Sequence, residues 1–430
     1  MDADLYRKTV LPSGLTLLTE CIPDRRSLAL GVWVRNGARD EPGELLGISH
    51  FIEHMMFKGT ERRDARAIAA SLESLGGHLD AFTGREEVCY YARALAEHLP
   101  EVADVLADIV CRSSFASPEV DREKSVVREE IASVEDNAED KVTEILAEQV
   151  WPGHPLGRPI LGTEDTVGRL DSACLRDYFR SRYRSEDLVV AAAGAVEHER
   201  VAEVIATHFV PPAGPVLPLS DPPAGFVPGV RHETREDLHQ LYLALGTRGL
   251  GYNDSGRHTL IVLNTLLGGG MSSRLFQSVR EEAGLAYSVF SAADFHRETG
   301  LITIQLGVAP DRGREALQRV RQELEMLVQE GPSQEEVASA RSQIKGSVVM
   351  GQESVSSRMV HLAHEEIYRG TYSSPDEQLA RVLAVTRDQV VEMARLLLPP
   401  GRFALSAIGP ATGEPLDERD WPVETGLAGC

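Results

Sequence analysis

The segment "VPPAGPVLPLSDPPAGFVPGV", residues 210–230, holds seven prolines and three glycines. Proline fixes φ and removes a backbone donor, so this composition continues neither a helix nor a central strand. It reads as a linker between two near-equal parts, 1–209 and 231–430, each long enough to bury its own core. One pattern recurs on both sides of it. "ALAEHLPEVADVLADIV" (94–110) precedes "ASPEVDREKSVVREEI" (116–131), and "DRGREALQRVRQELEMLV" (311–328) precedes "PSQEEVASARSQIKGSV" (332–348). Each pair is a helix-period segment, a break, and a second helix with serine at its start and acids in its first turn. Strand-like runs surround them: "LALGVWVRNG" and "DLVVAAAGAV" before the linker, "QLYLALGTRG" and "GLITIQLGVAP" after it. The reading is an α+β fold made by internal duplication, two similar domains, each a mainly antiparallel sheet with helices on one face. Residues after Gly409 are rich in Pro, Gly and acids and are expected to lie outside the core.

Composition narrows the function. The formal net charge is −22 and no basic cluster occurs. That argues against nucleic acid, whose affinity for proteins comes from Lys and Arg neutralising phosphates. An acidic chain favours basic ligands or peptides through its long-range field. No apolar run approaches the roughly 20 residues of a membrane helix. The first residues alternate like a hairpin around Pro12-Ser13-Gly14 and show no signal-peptide core. Five scattered cysteines without C-x-x-C spacing indicate reduced thiols. The expected location is the cytoplasm.

Chemistry concentrates in "GISHFIEHMMFKGT", residues 47–60. Leu46, Ile48, Phe51, Ile52, Met55, Met56 and Phe57 make a nearly all-round apolar helix, which should be buried. A glutamate in such a helix needs a reason to be there. At 3.6 residues per turn, His50, Glu53 and His54 share a face. Two imidazoles at i and i+4 can bind one zinc, with the glutamate as base; H-x-x-E-H is the inverted zincin order. The competing explanation is a pair of satisfied core histidines, and a third ligand decides between them.

Residues 117–146, "SPEVDREKSVVREEIASVEDNAEDKVTEIL", offer that ligand. Glu129 and Glu130 compete for the role. At about 100° per residue, Val126, Val127, Ile131 and Val134 centre their arc about 40° from Glu130 and about 140° from Glu129. Periodicity selects Glu130, and it also turns Glu123 inward. Two inward carboxylates are costly unless they meet a cation or a donor.

With its H-x-x-E-H, a glutamate after 75 intervening residues and "LLGGGMSSRLFQSVREEAGLAYSVFS" after the linker, the chain resembles the insulinase/pitrilysin-type zinc metallopeptidases. Its length is most similar to the subgroup containing the mitochondrial processing peptidase β subunit and its bacterial relatives. The resemblance implies one Zn2+ per chain held by His50, His54 and Glu130, with Glu53 as general base and Glu123 as a supporting carboxylate. It implies that Arg280 and Tyr287, separated by six residues in the half lacking the motif, hold substrate and stabilise the oxyanion. It places Asp80, Ala81 and Phe82 on an edge strand that pairs with an extended peptide, although many relatives carry Asn where this chain has Asp80. Asp140 and Glu144 match acids that contact a basic substrate residue. The implied function is an endopeptidase acting on unstructured or presequence-like peptides, in a chamber closed by the second domain. Relatives of this length work as pairs, so a homodimer is expected, with a heterodimer of related chains as the other arrangement. The family also contains non-catalytic assembly subunits, the alternative reading; those lose ligands or base, and this chain keeps them. A second cluster, His361, His364 and Glu365 in "HLAHEE", has no third ligand of its own and reads as structural.

Overall fold

The computed structural model describes residues 5–212, 215, 217–223, 225–410 and 415–423. Its eleven described strands form two sheets. In the first, β1 (Tyr6–Val10), β2 (Thr16–Cys21), β3 (Ser27–Val34), β4 (His78–Thr83), β5 (Val88–Leu95) and β6 (Leu188–Gly194) lie in the order β1-β2-β6-β3-β5-β4. In the second, β7 (Val230–Thr234), β8 (Leu241–Gly249), β9 (Ala286–Phe295), β10 (Gly300–Val308) and β11 (Ala404–Gly409) lie in the order β7-β11-β8-β10-β9. With β1 set aside, the two orders are the same in sequence rank. The one parallel pair also matches, β2 with β6 and β7 with β11. The duplication expected from the helix pattern is therefore present strand by strand. The β1–β2 turn is the expected hairpin, with Gly14 at φ 92° where a side chain would be strained.

Two expectations about organisation change. The chain does not divide into contiguous halves at 210–230. One compact unit comprises 1–132, 159–220 and 349–374, and the other 133–158, 221–348 and 375–430. The helix Ala138–Val150, from the first half of the sequence, belongs to the second unit, and the helix Val355–His364, from the second half, belongs to the first. These two helices occupy equivalent places in the two repeats. Each covers the second face of a sheet, so neither sheet has helices on one face alone. In the first unit, Val355, Met359, Leu362 and Ala363 pack on Leu18, Ala29, Trp33, Cys89 and Val189. In the second, Val142, Ile145 and Leu146 pack on Ala244, Ala404 and Ile408. A glycine in the matching strand admits each helix. A Cβ at Gly31 of β3 would lie 2.5 Å from the Trp33 ring and 3.1 Å from Met359 Sδ, and one at Gly246 of β8 would lie 2.9 Å from a Leu146 methyl. Strands buried on both faces read as continuous apolar runs, which hides the second covering layer from a period-2 reading.

The segment after Gly409 also differs from expectation. Leu416 and Trp421 are buried in the second unit's core, and Trp421 Nε1 donates to the Phe403 carbonyl at 3.2 Å. Isolated anchors in a Pro-rich stretch carry no period, so their burial leaves no pattern in the sequence.

Candidate metal centre

The helix Ile48–Met56 lies in the first unit with Ile48, Phe51, Ile52, Met55 and Met56 buried in its main core. That burial fixes the helix in rotation and leaves His50, Glu53 and His54 on its remaining face. The helix Ser117–Asp136 buries Val120, Glu123, Val127 and Ile131. Val126, counted in the inward arc from sequence, is exposed, and Glu130 sits at the margin of the buried face with its side chain 42% exposed.

His50, His54 and Glu130 converge, with one ligand atom from each lying within 4.8 Å of the others. Glu130 Oε2 is 3.6 Å from His50 Nε2 and 3.4 Å from His54 Nε2. Zinc ligands at about 2.0–2.2 Å in a tetrahedron stand about 3.3–3.6 Å apart, so this donor set fits zinc. Among the described residues, no other group of three or more His, Cys, Asp and Glu side chains could hold a metal ion. His361 instead meets the Ser373 carbonyl and His364 meets Glu87, each at 2.8 Å, which makes that second cluster structural.

The surroundings set the protonation of each group. Burial, helped by the neighbouring His54, pushes His50 down to about 4, so it is a neutral imidazole. Burial also acts downward on His54, but its hydrogen bond to Glu123 and the charge of Glu130 outweigh it and raise its pKa. His54 Nδ1–H donates to Glu123 Oε1 at 2.8 Å, leaving Nε2 as the ligand atom, the carboxylate–histidine arrangement common behind zinc. Burial raises Glu53, against the Thr83 hydrogen bond that lowers it, which favours a base over an inert anion. Thr83 Oγ1 donates to Glu53 Oε2 at 2.5 Å.

Thr83 and Lys58 are site residues that the sequence reading did not single out. Thr83 is the last residue of β4, and Lys58 Nζ reaches Glu123 Oε2 at 2.8 Å. Their only signal in sequence is nearness to residues already chosen, Thr83 just after Phe82 and Lys58 four residues after His54.

Asp80, Ala81 and Phe82 lie on β4, which is the edge strand of its sheet. The Ala81 N–H donates to the Asp80 carboxylate at 2.9 Å, and Tyr91 donates to the same side chain at 3.2 Å. Arg280 and Tyr287 come together in the second unit: the guanidinium stands 5.3 Å from the Tyr287 ring and 4.7 Å from the Phe276 ring. Tyr287 is 79% exposed. Asp140 and Glu144 do not form a free pair of carboxylates, because Asp140 accepts from Asn137 at 2.7 Å and Glu144 faces Lys141 at 3.5 Å.

A duplicated α+β fold in which two histidines and a glutamate converge near a half-buried glutamate is the arrangement expected of the inverted-zincin class of zinc protease. Comparison with known proteins agrees. The family model described as Insulinase (Peptidase family M16) matches residues 16–164, and that of the Peptidase M16 inactive domain matches residues 169–344. The chain is 39% identical over 411 residues to an uncharacterized zinc protease of Streptomyces coelicolor, covering 94% of this chain and 89% of that one. It is 36% identical over 412 residues to the uncharacterized zinc protease YmxG of Bacillus subtilis, covering 96% of this chain and all of that one. A crystal structure from Pseudomonas fluorescens, described as a peptidase M16 inactive domain, shares the fold with a TM-score of 0.88 at 20% identity, covering 95% of this chain and 99% of that one. The chain belongs to the M16 (insulinase) family of zinc proteases. Among the described residues, no helix is long and apolar enough to cross a membrane.

Proposed function

We propose that this protein is a zinc endopeptidase that cleaves extended, unstructured peptides. The observation that carries the reading is the convergence of His50, His54 and Glu130 beside the half-buried, Thr83-bonded Glu53. Zinc, when bound by those three residues, supplies Lewis acidity toward the scissile carbonyl and toward water. Glu53 takes the proton of the attacking water and passes it to the leaving amine, and its raised pKa matches both transfers. Thr83 holds one oxygen of that carboxylate so that the other faces the reacting centre. Edge strand β4 offers backbone groups to a peptide in β conformation, so main-chain bonds supply affinity and the sequence preference is broad. Arg280 and Tyr287 are assigned to substrate backbone and oxyanion, supported by their mutual packing and the exposure of the phenol. Contact with a basic substrate residue through Asp140 and Glu144 would require them to leave their present partners, and it is not part of this reading.

The test is mass-spectrometric mapping of a mixed peptide library after incubation with wild type and Glu53→Gln. Cuts made only by the wild type, and abolished by a chelator, are expected. A zinc-loaded wild type that makes no cuts, or a Glu53→Gln protein that makes the same ones, refutes the assignment.

A further inference from the structure

We propose that Lys58 is a positioning residue for the metal centre, acting through Glu123 to hold His54 with Nε2 beside Glu130. The inference rests on the zinc reading of His50, His54 and Glu130. The Glu123 side chain is 2% exposed, and each of its oxygens has one partner, His54 Nδ1 on Oε1 and Lys58 Nζ on Oε2, both at 2.8 Å. The last torsion of a glutamate is broad and roughly two-fold, so a single donor does not fix the carboxylate plane. A second donor on the far oxygen does. Lys58 is itself anchored, since its N–H donates to the Met55 carbonyl at 3.1 Å, two residues beyond the end of the histidine helix. Gly59 follows at φ 140°, a conformation glycine takes readily, and turns the chain away from the helix. The three groups thus form one line, Lys58 to Glu123 to His54. His50 has no such support: its Nδ1 is buried without a hydrogen-bond partner among the described residues. Orientation of the ligand pair therefore depends on the His54 side, which gives Lys58 leverage that an ordinary half-buried ion pair lacks.

The test is zinc affinity of the full chain, read by competition with a chromophoric chelator, so that no turnover is required. Loss of a group that orients a ligand costs roughly 10–100-fold in metal affinity. Lys58→Met and Lys58→Gln are expected to weaken zinc binding in that range, with Lys58→Arg recovering most of it. In a Glu123→Gln background, Lys58→Met should add little, because the line is already broken. Nitrogen-15 NMR of His54 in the metal-free protein should show one Nδ1–H tautomer in wild type and a mixture in Lys58→Met. Affinities within two-fold of wild type for both Met and Gln variants overturn the proposal, as does an equal loss with and without Glu123. A wild type that binds no zinc overturns the zinc reading, and this proposal with it; the variant outcomes overturn this proposal alone.

Discussion

Truncating Met359 should destabilise the unit that carries the metal ligands, although Met359 lies about 300 residues downstream of them in the chain. Its side chain is fully buried in the cluster with Leu18, Ala29, Trp33 and Val189, on the face of the first sheet opposite the histidine helix. Removing a buried Met down to Ala costs about 2–5 kcal/mol in transfer and cavity terms. With a urea slope of about 2 kcal/mol/M, the unfolding midpoint falls by about 1–2.5 M. The chain provides its own reporters, because Trp33 lies in the first unit and Trp151 and Trp421 lie in the second. In a Trp151→Phe/Trp421→Phe background, Met359→Ala should move the Trp33 transition by that amount. The reciprocal change, Leu146→Ala in the helix that covers the second sheet, should act on the second unit, read by Trp421 in a Trp33→Phe/Trp151→Phe background. A Met359→Ala protein whose Trp33 transition shifts by less than about 0.5 kcal/mol, the size of a surface substitution, would refute the exchanged-helix packing.

Three further outcomes are expected. Thr83→Val should lower kcat by about 10-fold or more while leaving zinc affinity unchanged, with Thr83→Ser close to wild type, because a hydrogen bond to a charged group is worth about 1.5–3 kcal/mol; an unchanged kcat would remove Thr83 from the site. Zinc binding should strengthen as pH rises through the raised His54 pKa, since Nε2 must lose its proton to bind metal, while His50, at about 4, is already neutral. In the metal-free protein the sign reverses: His54's contribution to stability is full below its unfolded value of about 6.5 and is lost as pH rises through the folded one. The zinc-induced rise in Tm should therefore be larger at pH 8 than at pH 6, and an equal rise at both would contradict this. Trp421→Ala should destabilise the second unit by about 3–5 kcal/mol, measured by urea unfolding, as for a core aromatic; a loss near zero would return the segment after Gly409 to the periphery.

The metal site was legible because its chemistry demands residue types that local sequence otherwise avoids. A glutamate between two histidines in an apolar helix, and a second helix whose period turns carboxylates inward, are both unfavourable without a cation or donors. Periodicity separated Glu130 from Glu129, though it overstated the burial of Glu130 and Val126. It had no means of finding Lys58 or Thr83, because a hydrogen bond across 65 residues to Glu123 or 30 to Glu53 leaves no local period. The resemblance matched Asp140 and Glu144 to acids that contact a basic substrate residue; in the structure their partners are Asn137 and Lys141, each three residues away in the chain.

Sequence alone determined the class of fold and its duplication, written in local periods, and its residue chemistry nominated the donor set and the base. Tertiary structure decided which helix covers which sheet. The helices Ala138–Val150 and Val355–His364 each have an apolar face suited to a sheet, and nothing local tells them which of two similar sheets to join. That choice is made by packing at distance, where Met359 and its neighbours seat on the first sheet and Leu146 and its neighbours on the second. The linker therefore marks a break in composition, while the boundary of each unit follows the exchanged helices.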